Sequence, residues 1–420
     1  MSIPGELHNG KPATFGGRPA FETKLPLARP QIADPARLAA TIQQILEGGM
    51  LTNGPFVEEL EKRTAEYLGV NQCVAVSSCT AGLMLILRAS ELSGDVIIPS
   101  FTFAATAHGV AWNGLRPVFA DIDPRTLTLS PESVERVVGV RTSAILATHI
   151  FGTPCDIEGL NELASHNGIR LYFDAAHAFG SSHNGRAIGG FGNAEVFSLT
   201  PTKMVVAGEG GIIATNDEIL AERCRMGRDY GHPGDYDCRF VGLNARMSEV
   251  HAATALHSLE DLDERVDRRN ELVEIYRAAL SSVPGVSFPS VPAGDRSTFK
   301  DFTVLIDEPL FGLSADELAR ALEAEGIETR RYYAPAVHTM TAYRSLAATS
   351  GDLRETEWAT ERVLTLPLLT QMDDKDPIRV AEAIHRIQRH SSRDGSTIGQ
   401  SFRDVVDPEL PLPISSPTIH

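Results

Sequence analysis

The apolar run Arg170-Leu-Tyr-Phe173 ends in Asp174-Ala-Ala-His177. Lys203 stands 29 residues after that aspartate, closing Phe197-Ser-Leu-Thr-Pro-Thr-Lys203 just ahead of Gly208-Glu-Gly-Gly211. A carboxylate and a primary amine in this order suit one kind of chemistry. A lysine amine holds an aldehyde as an imine and, once displaced, carries protons. A carboxylate against a heterocyclic nitrogen keeps that nitrogen protonated, and so keeps the ring an electron sink. Pyridoxal phosphate needs both, which makes Asp174 the candidate partner of its ring nitrogen and Lys203 the candidate holder of its aldehyde.

Further groups would complete such a site. Ser77-Ser-Cys-Thr-Ala-Gly82 lies between an apolar run and a helical pattern, where backbone N–H groups and the helix dipole hold a phosphate and Thr80 adds a hydroxyl. The plainer reading is a helix N-cap. Pro99-Ser-Phe-Thr-Phe103 puts Phe103 just past a strand end, to stack on a flat ring or to fill the core. His177 either touches the cofactor's phenolic oxygen or satisfies a loop carbonyl. Taken singly, Asp174 is a turn residue and Lys203 a solvated lysine. Together, a phosphate loop, a stacking aromatic, a strand-end aspartate and a lysine flanked by Ser198 and glycines have no common structural reason to stand in that order.

The elements that must position these residues follow a repeating grammar. Short apolar runs at Cys73–Val76, Val96–Pro99, Pro117–Ala120, Ser143–Ala147 and Arg170–Phe173 alternate with helical patterns starting near Thr80, Ala104, Pro131 and Ile157. Such alternation predicts an α/β fold with a mainly parallel sheet covered on both faces, with ligands beyond the carboxyl ends of the strands. The residues at those ends are Ser77 to Thr80, Ser100 to Phe103, Asp121, His149, Asp174 to His177 and Ser198. Residues 1–30, rich in Gly and Pro, read as an arm, and 31–255 as the large cofactor-binding domain. A long helix is expected over Met247 to Asp263, continuing from Arg265 to Leu280. Residues 256–390 form a smaller α+β domain with strands at Phe302–Ile306 and Val363–Pro367 and a helix over Ser314–Glu325. From 391 to 420 the composition predicts a disordered tail.

The chain has 420 residues and a net charge of −17, with no basic cluster, which argues against a nucleic-acid partner. An anionic substrate then requires a local basic pocket. The five cysteines are scattered without metal-site spacing, so no metal is expected and they read as reduced thiols of a cytoplasmic protein. No run has the length of a membrane span, and the start lacks the pattern of a signal peptide.

Several motifs, in order, resemble the DegT/DnrJ/EryC1/StrS sugar aminotransferases of the fold-type I pyridoxal phosphate group. They include Gly54-Pro-Phe-Val-Glu-Glu-Leu-Glu61, Val76-Ser-Ser-Cys-Thr-Ala-Gly-Leu83, Pro99 to Thr106 and Pro117-Val-Phe-Ala-Asp-Ile-Asp-Pro124. Asp174 to His177, Phe197 to Gly211, Asn244-Ala-Arg-Met-Ser-Glu249 and Val363 to Pro367 complete the set, and the likeness runs from about Phe15 to Ile387. It implies a seven-stranded, mainly parallel sheet and a small C-terminal α+β domain. It also implies Lys203 on the aldehyde, Asp174 on the ring nitrogen, Phe103 on the ring face and His177 near the ring oxygen. Ser198 and the backbone at Cys79 and Thr80 would hold the phosphate. Asn244 would reach the phosphate of a neighbouring subunit, which requires a homodimer with shared active sites. The family often has Gly at the place of Cys79 and Gln at that of His177. A backbone N–H serves from either residue at the first place, and an imidazole also donates at the second.

Phe15-Gly-Gly-Arg-Pro-Ala-Phe21, Arg170 to Ala178 and the closing Ser-Pro-Thr-Ile419 look most like dTDP-4-keto-6-deoxyglucose 4-aminotransferases of antibiotic deoxysugar pathways. The resemblance implies that L-glutamate gives its amino group to pyridoxal phosphate, leaving pyridoxamine phosphate. The amine then passes to the C4 ketone of a nucleotide-linked keto-sugar. A diphosphate calls for cations, for which Arg228, Arg330 and Arg331 are candidates, with Tyr332 and His338 near the sugar. Alternatives are a C3 aminotransferase and a noncatalytic cofactor-binding regulator. A sugar 3-dehydratase of this fold would replace the lysine by histidine, and Lys203 argues against it.

Overall fold

The computed structural model describes residues 10–32, 34–345 and 351–391. The first nine residues of the expected arm and the expected tail beyond Ser391 lie outside them. Seven runs of mostly buried residues form one sheet. Its strands begin with β1 (Gln72–Val76), β2 (Asp95–Pro99), β3 (Arg116–Ala120), β4 (Thr142–Thr148) and β5 (Arg170–Asp174). After a two-stranded hairpin, β6 (Ser182–His183) and β7 (Arg186–Ala187), come β8 (Ala194–Ser198) and β9 (Gly211–Thr215). The order is β1-β9-β8-β5-β4-β2-β3, parallel from β8 through β3, with β9 antiparallel to both its neighbours.

These runs are almost wholly apolar because helices cover both faces. Alternate residues feed two cores: Ala75, Ile97, Ile145, Phe173, Phe197 and Ile212 on one side, Val76, Ile98, Leu146, Tyr172, Val196 and Ile213 on the other. The glycine-rich approach to β9 hid that strand from the sequence pattern. Gly211 is required there: a Cβ would stand 2.7 Å from the backbone nitrogen of Cys79. Glycine thus lets β9 run against the start of the helix Cys79–Ala89, which Ser78 Oγ caps by accepting from the Ala81 N–H at 3.1 Å.

The helix expected over Met247 to Asp263 is instead two helices, Glu249–Leu259 and Leu262–Leu280. Asp261 leaves helical geometry and becomes the N-cap residue of the second, a break concealed by the charged run around it. The boundary expected at 255 falls inside the first. Leu262 and Val266 of the second helix pack in the large core, while Leu272, Tyr276 and Leu280 pack in the small one.

The small unit is built on an antiparallel sheet, β10 (Val286–Ser287), β11 (Phe302–Ile306) and β12 (Val363–Leu366). The helix Ala315–Ala324, opened by a Ser314/Glu317 capping box, packs on β12, and Lys375–Ser391 packs on that helix and on Leu262–Leu280. The described part of the arm belongs to this unit rather than standing apart. Phe21 is in its core, and buried Glu325 accepts from the Ala13 and Ala20 N–H groups while pairing with Arg386 at 2.5 Å. No helix among the described residues is long and apolar enough to cross a membrane.

Candidate active site

The carboxyl ends of β5 and β8, the start of the helix Cys79–Ala89 and the entry to β11 meet around a cavity of about 300 Å3. Asp174, the last residue of β5, is buried in its wall. Its carboxylate accepts from Thr106 Oγ1 at 2.6 Å and from the Ala176 N–H at 3.1 Å. Thr106 is fixed in turn by Thr102, 2.9 Å away, which also meets Thr148 at 3.2 Å. Burial pushes the Asp174 carboxyl above its ordinary range, while Thr106, the Ala176 N–H, Lys203 and His149 oppose the shift. A cation placed against it would be held firmly.

Lys203 sits in the turn after β8, its N–H donating to Thr200 O at 3.0 Å. Burial first, and the Lys300 ammonium second, push its amine down to about 7, against the pull of Asp301 and Asp174. Such an amine is largely available as a nucleophile near neutral pH. The hydroxyl-bearing residues Ser198, Thr200 and Thr202 line the same cavity beside Cys79 and Thr80. The N–H groups of Cys79 and Thr80 belong to the first helical turn, which has no intrahelical acceptor for them. Together these make an anion seat. The Cys79 thiol lies in the fold, with Sγ 3.7 Å from Val196 O, and burial beside Asp174 raises it well above the usual thiol range. It is a neutral filler.

Phe103 is 56% exposed, unusual for a phenylalanine, and its free surface faces the cavity with Tyr333 6.3 Å away between ring centres. His177 is buried. Its Nδ1 accepts the Phe151 N–H at 3.1 Å, which assigns the proton to Nε2, 3.3 Å from the Tyr333 hydroxyl. Burial, then Lys203 and Lys300, hold this imidazole well below its ordinary pKa and hence neutral. The cavity therefore gathers one carboxylate, one reactive amine, an anion seat, a neutral N–H donor and an exposed aromatic face. A flat, phosphorylated pyridine aldehyde fits that donor set.

The outlying candidates distribute differently. Tyr332 lines the cavity. Arg228 does not: its guanidinium is buried, bonded to Glu61 at 2.5 Å and to Ala75 O at 2.7 Å, which corrects its expected place at the substrate. Arg331 is likewise held by Asp316 and by the carbonyls of Thr360 and Glu361 at 2.7 and 2.9 Å, and Arg330 pairs with Glu328 at 2.8 Å. His338 is tied through Nδ1 to Ser100 Oγ at 2.7 Å. None of these four contributes to the lining. Asn244 is exposed, away from its own chain's cavity, in a loop that also exposes Tyr230, Tyr236 and Val241.

Sequence reasoning missed Thr106, Ala176, Thr200, Thr202, Tyr333 and the pair Lys300–Asp301, all of which build or support the site. Thr106, Ala176, Thr200 and Thr202 all stand inside motifs already singled out. Lys300 carries no such mark, because the small unit delivers it.

A family description, the DegT/DnrJ/EryC1/StrS aminotransferase family, matches residues 33–385. Among solved structures, DesI in the presence of its TDP-sugar product is 41% identical, with a TM-score of 0.85 over 91% of this chain and 96% of that one. S. venezuelae DesV in complex with a ketimine intermediate is 32% identical, with a TM-score of 0.80 over 87% of this chain and the whole of the other. The spore coat polysaccharide biosynthesis protein SpsC of Bacillus subtilis (strain 168) is 34% identical over 362 residues, covering 82% of this chain and 93% of its own.

Proposed function

The chain belongs to the DegT/DnrJ/EryC1/StrS aminotransferase family, and from that premise we propose that it moves the amino group of L-glutamate to the C4 ketone of dTDP-4-keto-6-deoxyglucose. The family is one of pyridoxal phosphate-dependent sugar aminotransferases. The observation that carries the substrate class is the 41% identity, over nearly the full length, to DesI, a protein solved with a TDP-sugar product. The C4 position rests on the resemblance at Phe15 to Phe21 and Arg170 to Ala178.

When bound, pyridoxal phosphate would supply an aldehyde carbon to carry the amino group and a protonated ring to serve as electron sink. The residues of the chain do the rest. Asp174, buried and braced by Thr106, keeps a positive charge on the ring nitrogen. The N–H groups of Cys79 and Thr80, with the Ser198 hydroxyl, would hold the phosphate, and Phe103 would offer an aromatic face to the ring. His177, neutral with its proton on Nε2, donates toward the ring oxygen. Lys203 Nζ removes the proton from Cα of the donor amino acid and, in the second half of the reaction, delivers one to C4 of the sugar. Asn244 completes the phosphate seat of a second copy. Tyr230, Tyr236 and Val241, large apolar side chains left exposed in the same loop, support this assignment, because apolar surface left exposed in one region marks contact with a partner. The reading therefore carries with it a homodimer with shared active sites, working in the cytoplasm in antibiotic deoxysugar synthesis.

The test is incubation of the protein with pyridoxal phosphate, L-glutamate and a panel of nucleotide-linked 3-keto and 4-keto sugars. The products are identified by mass spectrometry and NMR. A 4-amino product from the dTDP sugar is expected. A 3-amino product overturns the regiochemistry, and no amination of any sugar together with no 2-oxoglutarate overturns the reading.

A further inference from the structure

We propose that Lys300 is a positioning residue for the transfer, acting through Lys203: its ammonium, moored on Asp301, stands on the same wall as Lys203 and keeps that lysine an uncharged nucleophile when it is released. The proposal rests on the assignment of Lys203 as the residue that holds the cofactor's aldehyde.

Lys300 leads into β11 and is buried. Its Nζ lies 2.8 and 3.0 Å from the two oxygens of Asp301 and 5.3 Å from the centre of the Tyr332 ring. The backbone is fixed as firmly: its N–H donates to Phe151 O at 2.9 Å, and its carbonyl accepts from Arg269 at 2.7 Å. Lys300 lines the 300 Å3 cavity and also a second, small one of about 30 Å3 between the arm and the body of the chain. Lys203 lines both as well, so the two ammonium-bearing side chains share the partition between them.

Two like charges on one partition cannot both persist cheaply, and the proton leaves the group with the weaker anionic partner. Lys300 has both oxygens of a carboxylate within 3.0 Å, whereas Lys203 has no ion pair at that range among the described residues. Charged groups surround Lys203 from several elements: Arg29 of the arm and Arg265 and Arg269 of the helix Leu262–Leu280 border the small cavity with it, and Glu209 borders the large one. From β5, Asp174 favours its charged form, while the Cys79 thiol at the helix start is neutral and adds no charge. From the small unit, Asp301 favours the charged form and Lys300 opposes it more strongly, adding to burial. His177, neutral, adds no charge. The consequence is chemical. The lone pair of neutral Lys203 forms the N–C bond to an aldehyde carbon, and both amine protons leave with the carbonyl oxygen as water. No oxidant or reductant is involved.

The experiment measures the protonation of Lys203 directly in the full-length, cofactor-free chain, by trace acetylation across a pH series with peptide mass spectrometry of Lys203. Relative to the parent, Lys300→Met should move the labelling midpoint up by about one pH unit or more, Lys300→Arg should leave it close to the parent, and Asp301→Asn should move it down. Opposite movements cannot come from a merely structural lesion, and Asp301→Asn carries the proposal if Lys300→Met does not fold. An unmoved midpoint in Lys300→Met, or both variants moving the same way, overturns it. The assignment of Lys203 is tested apart, by loss of the visible absorption of bound pyridoxal phosphate in Lys203→Ala. Survival of that absorption sinks the assignment whatever the labelling shows.

Discussion

Two strands of the same sheet end in a buried aspartate, and the two carboxylates do opposite things. Asp121, one residue past β3, is saturated. It accepts the Glu355 N–H at 2.9 Å, the Thr356 N–H at 2.8 Å, the Thr356 hydroxyl at 2.7 Å and its neighbour's Ile122 N–H at 2.9 Å. It caps the helix Arg354–Arg362 and so fastens the small unit to the sheet. Asp174, at the end of β5, takes one hydroxyl, one N–H and, at 4.0 Å, the Cys79 thiol, and it faces an open cavity beside an amine whose pKa is depressed. Buried charge that is fully partnered holds structure together. Buried charge with valence left over is poised for a ligand.

That contrast breaks if the two aspartates respond alike. Asp174→Asn keeps the shape and removes the charge, and should lower turnover by about a thousand-fold, the loss typical of a charge contact at a reacting centre. The folded stability of the cofactor-free protein should be unchanged or higher; steady-state kinetics and urea unfolding check the pair. Asp121→Ala should do the reverse, costing about 2 kcal/mol by orphaning the two N–H groups of the helix start, with turnover per folded molecule within about two-fold of the parent.

A smaller effect sharpens the comparison. Lys203 titrates near 7 in the fold and near 10.5 in the unfolded chain, so between those values the unfolded state binds the extra proton. The penalty is complete below pH 7 and vanishes as pH rises toward 10.5. Lys203→Met should therefore stabilise the cofactor-free protein by on the order of 1 kcal/mol at neutral pH, solvent in the cavity screening the rest, and by nothing at high pH. Thermal melts across pH read the difference.

The parallel strands and their ends were legible because each is a short apolar run stopped by Ser, Asp or a small residue, and that grammar follows from burial on both faces. The end residues alone do not separate Asp121 from Asp174, because the donors that saturate Asp121 arrive from a helix more than two hundred residues downstream. Arg228 misled for the same reason. An arginine named only as a cation for a diphosphate looks free until Glu61 and Ala75 are brought beneath it. Strand β9 escaped because the glycines that let it approach the helix start also read as loop. The residues on which the cofactor seat is assigned lie in the local motifs of the large sheet, while Lys300 and Tyr333 come from the small unit and needed the fold.

The central claim is that Lys203 is the residue to which the cofactor is attached, and it is tested most directly by borohydride reduction of the full-length protein loaded with pyridoxal phosphate, followed by peptide mapping. The account predicts a single pyridoxyl group on Lys203, absent from Lys203→Ala. A label on Lys300, or one spread over surface lysines while Lys203 stays unmodified, would contradict it.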